Sequence, residues 1–275
     1  MRITILCNDK SVREDIQAEH GFSCLIQNGH DRVLFDTGDT GMFLDNARSM
    51  GVDLSEVRHV VLSHAHYDHS GGFLSFAAQH QTYQLLVHRR FFTSKYWDED
   101  AFFRFVGNRF TPESLCEKGV PFFLVKTDTF PLSKDCKAWL LSGFPRKNAF
   151  EVIEPAAYQF AAGELLPDTF DEELIYAADT ANGLVIVSGC SHSGIVNICE
   201  ETQKRLHRPI CAVVGGTHLV SAQERQLRDT IAYFNAHPEI RLLAPMHCTG
   251  DSALYAFRQH CPAYRTVGGG SVIEL

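Results

Sequence analysis

The stretch spanning residues 59–72 reads HVVLSHAHYDHSGG. Within it, His64, His66, Asp68 and His69 place three imidazoles and one carboxylate in six consecutive positions. A strand ending here would deliver these side chains to the rim of a sheet, where a loop can turn them inward. Imidazole nitrogens and carboxylate oxygens are the ligands that zinc and its first-row neighbours prefer. The run therefore predicts a metal site, because packing alone gives no reason to crowd ionisable groups.

The composition is that of an ordinary soluble globular protein. The 275 residues are 45% hydrophobic and 21% charged, and they contain no linker or low-complexity segment. We therefore predict one domain spanning 1–275. The net charge of -8 argues against a broad nucleic-acid-binding surface, which needs concentrated lysine and arginine.

The cysteine pattern bears on the compartment. Nine cysteines, none of them in a CxxC pair, favour free thiols in a reducing environment over a disulfide framework. The N-terminal residues 1–9 reach polar positions too soon for a signal peptide. No stretch approaches the ~20 apolar residues of a membrane span. We expect a cytoplasmic protein with no membrane partner.

Hydrophobic periodicity predicts mostly strands in the first third of the chain, and alternating strands and helices after it. This order favours sheet packed on sheet with helices outside. The strands at 174–177 and 184–187 are predicted to form a hairpin through Asn182 and Gly183. A capping box at Ser221 and Glu224 is predicted to start one helix. An aromatic-rich insertion at about 89–122, without strand or helix periodicity, is interpreted as loops and short helices. The predicted strands lie at 2–7, 22–27, 32–36, 57–62, 84–88, 122–125, 138–141, 174–177, 184–187, 210–214, 240–244 and 271–275, and the helices at 42–50, 73–79, 193–206, 221–235 and 252–259.

Three further histidines follow predicted strands and stand beside small residues. They are His192, His218 and His247. A lone histidine at a strand end is usually a structural residue, but three such ends could line one metal cleft. His192 and His247 are therefore predicted as ligands, whereas His218 could either bind metal or orient a substrate.

These motifs resemble the metallo-β-lactamase superfamily. The run at 64–69 is similar to that family's His-x-His-x-Asp-His motif, and residues 36–38 are similar to its Asp-Thr-Gly turn. Within the superfamily, the chain resembles the branch labelled 7,8-dihydropterin-6-methyl-4-(β-D-ribofuranosyl)aminobenzene 5′-phosphate synthase. The residues that carry this closer resemblance are 19–23, 64–72, 142–146, 189–194, 215–219 and 247–250.

The resemblance implies an α/β fold, a four-layer αββα sandwich with two divalent metal ions at one edge. His64, His66 and His192 would hold the first ion. Asp68, His69 and His247 would hold the second ion. Cys190 stands where a bridging carboxylate is expected, so a thiolate or a water bridge both stay open. A thiolate would favour zinc, and an oxygen-only bridge would leave manganese or iron open.

This site predicts a metal-dependent hydrolase that uses hydroxide activated by two ions on a small organophosphate, phosphodiester or pterin-related substrate. Asp68 and His218 are the predicted catalytic residues, and His20 and Arg146 are predicted to bind an anionic substrate. The aromatic insertion could stack on a planar ring of that substrate. Asp36 is interpreted as a structural residue beneath the metal loop. The alternatives are a metal-holding binding or regulatory protein, a thioester or lactone hydrolase, and oxygen chemistry at a di-iron site.

Overall fold

The computed structural model describes residues 1–80, 82–135, 137–152 and 154–275. The strands are β1 (Arg2–Cys7), β2 (Ser23–Asn28), β3 (Asp31–Phe35), β4 (His59–Val61), β5 (Gln84–His88), β6 (Ser94–Asp98), β7 (Phe103–Phe105), β8 (Phe122–Val125), β9 (Thr129–Ser133), β10 (Ala138–Leu141), β11 (Ala157–Ala161), β12 (Glu164–Pro167), β13 (Ile175–Thr180), β14 (Gly183–Ser188), β15 (Ile210–Gly216), β16 (Leu242–Met246) and β17 (Val272–Glu274). The helices are α1 (Met42–Ser49), α2 (Tyr67–Ser70), α3 (Phe73–Ala77), α4 (Pro112–Glu117), α5 (Ile195–Leu206), α6 (Glu224–Ala236) and α7 (Asp251–His260).

The chain forms two compact units. The first unit comprises 1–126, 155–172 and 268–275, and the second comprises 127–154 and 173–267. Two such units can belong to one domain or to two, so the single domain at 1–275 stays a prediction. Among the described residues, no helix has the length and apolar character needed to cross a bilayer.

The first unit is organised on a seven-stranded sheet in the order β17-β1-β2-β3-β4-β5-β8. Strands β3, β4, β5 and β8 pair in parallel, so their carboxyl ends meet at one edge. Asp36 follows β3 at that edge, and the predicted metal-ligand run follows β4. Phe43, Phe73 and Phe76, on the helices after β3 and β4, are buried in the core of this unit.

The second unit contains a six-stranded sheet in the order β16-β15-β14-β13-β10-β9. The predicted hairpin through Asn182 and Gly183 is confirmed, because β13 and β14 pair antiparallel across it. Strands β14, β15 and β16 are parallel. Their carboxyl ends therefore lead to His192, His218 and His247 at a common edge, which is the arrangement that the strand-end pattern predicted.

A four-stranded sheet, β12-β11-β6-β7, corrects the interpretation of the aromatic insertion as loops and short helices. The segment contains strands β6 and β7 besides helix α4. β6 pairs with β11, where Trp97 lies opposite Ala157, so the partner is too distant for local periodicity to indicate. Lys95 of β6 is fully buried, with its Nζ 2.8 Å from Asp168 Oδ2 and 2.7 Å from Glu172 Oε1.

The predicted capping box at Ser221 and Glu224 is wrong. Helix α6 begins at Glu224 after Gln223, which makes no side-chain cap. The Ser221 hydroxyl instead donates to Glu154 Oε2 at 2.5 Å, because that carboxylate offers a charge-assisted bond.

The described cysteines agree with the expectation of free thiols. All eight are free, and six of them are buried. The ninth, Cys136, lies outside the described residues.

Candidate metal centre

The loop after β4 crosses the 36–40 turn at very short range. A Cβ atom on Gly71 would lie 2.0 Å from Asp39 O, and one on Gly72 would lie 2.1 Å from Thr40 O. Only glycine permits this approach. The crossing places Asp68 and His69 on the short helix α2, which begins directly after His66.

Four donor side chains of the first unit meet in this loop, and all four are buried. His64 Nε2 lies 3.1 Å from His66 Nδ1, and the rings of His64 and His69 are 4.2 Å apart between centroids. His69 Nε2 lies 3.5 Å from Asp68 Oδ2. The run predicted from sequence thus forms one cluster of nitrogen and oxygen donors.

Asp36 organises this cluster from beneath. Its Oδ1 accepts the Ser63 backbone N–H at 2.7 Å, and its Oδ2 accepts the Ser63 hydroxyl at 2.7 Å. The same Oδ2 lies 2.7 Å from His69 Nδ1, which therefore carries a proton. Because the proton is on Nδ1, the lone pair of His69 is on Nε2, the nitrogen that faces Asp68.

Ser63 extends the same arrangement to His64. Its hydroxyl hydrogen is directed at Asp36, so its oxygen accepts from His64 Nδ1 at 2.9 Å. His64 then keeps its own lone pair on Nε2. Burial, reinforced by His69 and His66, lowers the pKa of His64 well below its ordinary value. His64 is therefore neutral, which is the form that binds metal. The donor set and its proton positions fit a divalent cation such as zinc.

The predicted substrate residue His20 reaches the same cluster. Its Nε2 lies 3.4 Å from Asp68 Oδ2, and its Nδ1 lies 2.9 Å from Asp9 Oδ2. The ring of Tyr67 lies 6.5 Å from the His20 ring and 5.2 Å from the guanidinium carbon of Arg109. Arg109 could not be predicted at this place, because nothing in the sequence of the insertion indicates which arginine turns toward Tyr67.

The second unit gathers its own donors at the ends of β14, β15 and β16. The rings of His192 and His218 lie 4.2 Å apart. One donor atom each from Cys190, His247 and Cys248 lies within 4.8 Å of the other two. Burial acts to raise the pKa of Cys248, but the hydrogen bond with Cys190 and the charge of His247 lower it to about 6. Cys248 was not predicted to be near Cys190.

The backbone around these donors is strained. Ser191, His218 and His247 have φ angles of +63°, +48° and +53°, and Asp36 in the first unit has +57°. L-residues adopt this left-handed region rarely, and such residues concentrate at functional sites. Each strained residue stands at the end of a strand that leads into one of the two clusters.

The loop that carries His192 is held by charged side chains. Glu173 accepts the backbone N–H groups of His192 and Ser193 at 2.7 and 2.9 Å. Arg146 Nη1 donates to the His192 carbonyl at 2.8 Å. Arg146 therefore contacts the loop backbone, and its predicted role in substrate binding stays a prediction.

Glu151 is buried against the start of α5, directly after this loop. Its carboxylate accepts the Val196 and Asn197 backbone N–H groups, each at 2.7 Å. Burial raises the pKa of Glu151 from 4.5 to about 7, although these hydrogen bonds act in the opposite direction.

This raised pKa predicts a pH dependence of stability. Because the folded state holds the proton more tightly, the contribution of Glu151 is complete below its unfolded pKa of 4.5 and is lost as the pH rises through about 7. We expect the natural protein to lose about 2 kcal/mol of unfolding free energy between pH 5 and pH 8 relative to Glu151→Gln. Urea unfolding of both proteins at both pH values measures this. An equal loss in the two proteins would contradict the assignment.

The chain belongs to the metallo-β-lactamase superfamily, whose family model matches residues 17–199. The crystal structure of Tm1679, a metal-dependent hydrolase of the β-lactamase superfamily, is similar with a TM-score of 0.87 and 30% identity. That comparison covers 100% of this chain and 99% of the other. The predicted family and the predicted fold class, α/β with the metallo-β-lactamase fold, are thereby confirmed.

Two proteins of Methanocaldococcus jannaschii are similar over nearly the whole chain. An uncharacterised protein is 29% identical over 260 residues, which cover 91% of this chain and 92% of its own. The second, 7,8-dihydropterin-6-methyl-4-(β-D-ribofuranosyl)-aminobenzene-5′-phosphate synthase, is 26% identical over 268 residues, covering 94% of this chain and 90% of its own.

Proposed function

We propose that the protein is a metal-dependent hydrolase of small anionic substrates, organophosphates or phosphodiesters, including pterin-related ones. Two divalent ions, most favourably zinc, would be bound. His64, His66 and His192 would hold one ion, and Asp68, His69 and His247 would hold the other. The similarity to the dihydropterin phosphate synthase supports the pterin-related part of this substrate class.

The observation that carries the proposal is the network beneath the cluster. Asp36 fixes the proton of His69 on Nδ1, and Ser63 does the same for His64. In both residues the lone pair that could bind a metal is therefore on Nε2. A buried network that sets two histidine tautomers is typical of metal ligands, whose outer nitrogen is held by a carboxylate or hydroxyl. A purely structural cluster of histidines would not need this arrangement.

When bound, two divalent ions would lower the pKa of a water molecule toward neutrality and would polarise the oxygen of the bond under attack. The side chains of the chain provide binding, orientation and proton transfer. Asp68, whose carboxylate lies 3.4 Å from His20 Nε2, would orient the attacking water. His20 or His218 would donate a proton to the leaving group.

Arg109 and Tyr67 would receive the anionic part of the substrate. The Arg109 side chain is half exposed and is anchored by Nη1 at 2.8 Å from Asp39 Oδ1, which leaves other N–H groups to donate to a phosphate. Its position over Tyr67, the neighbour of Asp68, places this charge beside the ligand run.

Replacing Arg109 with alanine should raise the KM for an anionic phosphodiester about tenfold, because one charge-assisted hydrogen bond is lost. The KM for a neutral ester should stay unchanged. Steady-state kinetics on both substrates measure the effect. Arg48→Ala is the matched control, since Arg48 is also exposed and pairs with Asp45, three residues earlier on α1. A similar rise for the neutral ester would contradict the assignment to anion binding.

The proposal is tested by stripping the protein of metal, restoring zinc, manganese or iron, and following hydrolysis of bis-p-nitrophenyl phosphate. We expect about two bound ions per chain and activity that returns with metal. A thioester and a lactone are tested beside the diester to define the substrate class. Full metal loading without cleavage of any of the three would overturn the hydrolase and favour a metal-holding binding or regulatory protein.

A further inference from the structure

Two thiols of the second unit lie within reach of each other. Cys190 follows β14 and Cys248 follows β16, and their sulfur atoms are within 4.8 Å. Cys248 Sγ also donates to the Cys190 carbonyl at 3.5 Å. A disulfide can form only between neighbouring residues whose side chains face each other, and the two sulfur atoms here do face each other.

Gly216 on the strand between them leaves the space that this pair needs. A Cβ atom at Gly216 would lie 2.5 Å from Cys248 Sγ and 3.1 Å from Cys190 Cα. Any larger residue would push the Cys248 sulfur away. The sheet order places β15 between β14 and β16, so the two thiols meet over this glycine.

We infer that Cys190 and Cys248 form a reversible dithiol–disulfide pair, a redox modification site next to the proposed metal ligand His247. Cys248 is partly exposed, whereas Cys190 is only 3% exposed. A peroxide therefore reaches Cys248 first. Because the second thiol is already adjacent, it can trap the oxidised sulfur before further oxidation.

The chemistry balances with hydrogen peroxide as the oxidant. The Cys248 thiol attacks the peroxide, its sulfur is oxidised to a sulfenic acid, and one water leaves. The Cys190 thiol then attacks that sulfur, the S–O bond breaks, the S–S bond forms and a second water leaves. Two thiols are oxidised and one peroxide is reduced to two waters. A small dithiol reverses the reaction.

The test is peptide mapping after treatment of metal-free protein with hydrogen peroxide and alkylation of the remaining thiols. Trypsin places Cys248 alone in peptide 242–258, and places Cys190 with Cys199 in peptide 148–204. We expect most of peptide 242–258 to be linked to 148–204 without reductant and to be released by dithiothreitol.

Variants identify which cysteine of peptide 148–204 is linked. Cys190→Ser should abolish the cross-link, whereas Cys199→Ser, which removes a buried cysteine of α5, should leave it unchanged. A cross-link that survives Cys190→Ser, or peroxide treatment that yields only separate sulfinic acids, would overturn the inference.

A second measurement concerns metal and rests on the proposed function. Because Cys248 directly follows His247, the disulfide should restrain that ligand, and oxidised protein should bind zinc at least tenfold more weakly than reduced protein. If reduced protein binds no zinc, the proposed function fails while the cross-link result still stands. If the linked protein binds zinc as tightly as the reduced one, the predicted effect on the ligand is wrong.

Discussion

Replacing His66 with alanine should remove bound metal and reduce hydrolysis by more than about a hundredfold, since outer-shell changes alone cost 10–100-fold. His66 is buried, and its Nδ1 lies 3.1 Å from His64 Nε2. These two nitrogens are close enough for one divalent cation to take both imidazoles as ligands. Elemental analysis of purified protein and steady-state kinetics measure the two effects.

The same substitution should leave the fold intact. His66 lies at the end of the loop rather than in the main core of the first unit, so we expect the thermal midpoint of the metal-free protein to change little. His80→Ala is the matched control, because His80 stacks on Phe76 in the same unit, away from the cluster. Metal retained by His66→Ala in full amount would refute its assignment as a ligand.

Asp36→Asn should weaken zinc binding 10–100-fold without removing any ligand. The carboxylate accepts three hydrogen bonds, from the Ser63 N–H, the Ser63 hydroxyl and His69 Nδ1. An amide offers only one acceptor oxygen, so its NH₂ group would face a donor, and the tautomer of His69 or the orientation of Ser63 would change. Competition with a chromophoric chelator measures the affinity.

Asp36→Ala is expected to act on folding as well. It leaves three buried donors without their acceptor, which should cost about 3–5 kcal/mol of unfolding free energy. Urea unfolding of the metal-free protein measures this loss, and Asp45→Asn, an exposed carboxylate change in α1, should cost almost nothing. If Asp36→Asn bound zinc as tightly as the natural protein, the positioning role would be wrong.

Much of this architecture could be predicted because local pattern and strand pairing agree. The strand that feeds the ligand run, the hairpin at Asn182 and Gly183, and the three strand-end histidines all follow from periodicity over a few residues. Strand β6 could not be predicted, since its partner β11 lies about sixty residues later and the segment between carries no turn signal that links them.

The candidate site was predictable in its ligands but not in its supporting contacts. Ligand types stand in a dense run, whereas the role of Asp36 depends on which donors the fold brings to it across the sheet edge. Likewise, Cys190 and Cys248 are 58 residues apart, and Arg109 is one of several arginines in its segment. Such pairings depend on tertiary geometry, which spacing along the chain does not encode.

The left-handed residues at the strand ends have a consequence for engineering. Asp36, Ser191, His218 and His247 each keep a side chain where glycine would relieve the backbone, and such conformations cost of order 1–3 kcal/mol each. Selection for thermal tolerance alone would tend to exchange these residues. A library screened only for heat resistance should therefore accumulate glycine at these positions. The selected proteins would be more stable but would lack the side chains at the strand ends.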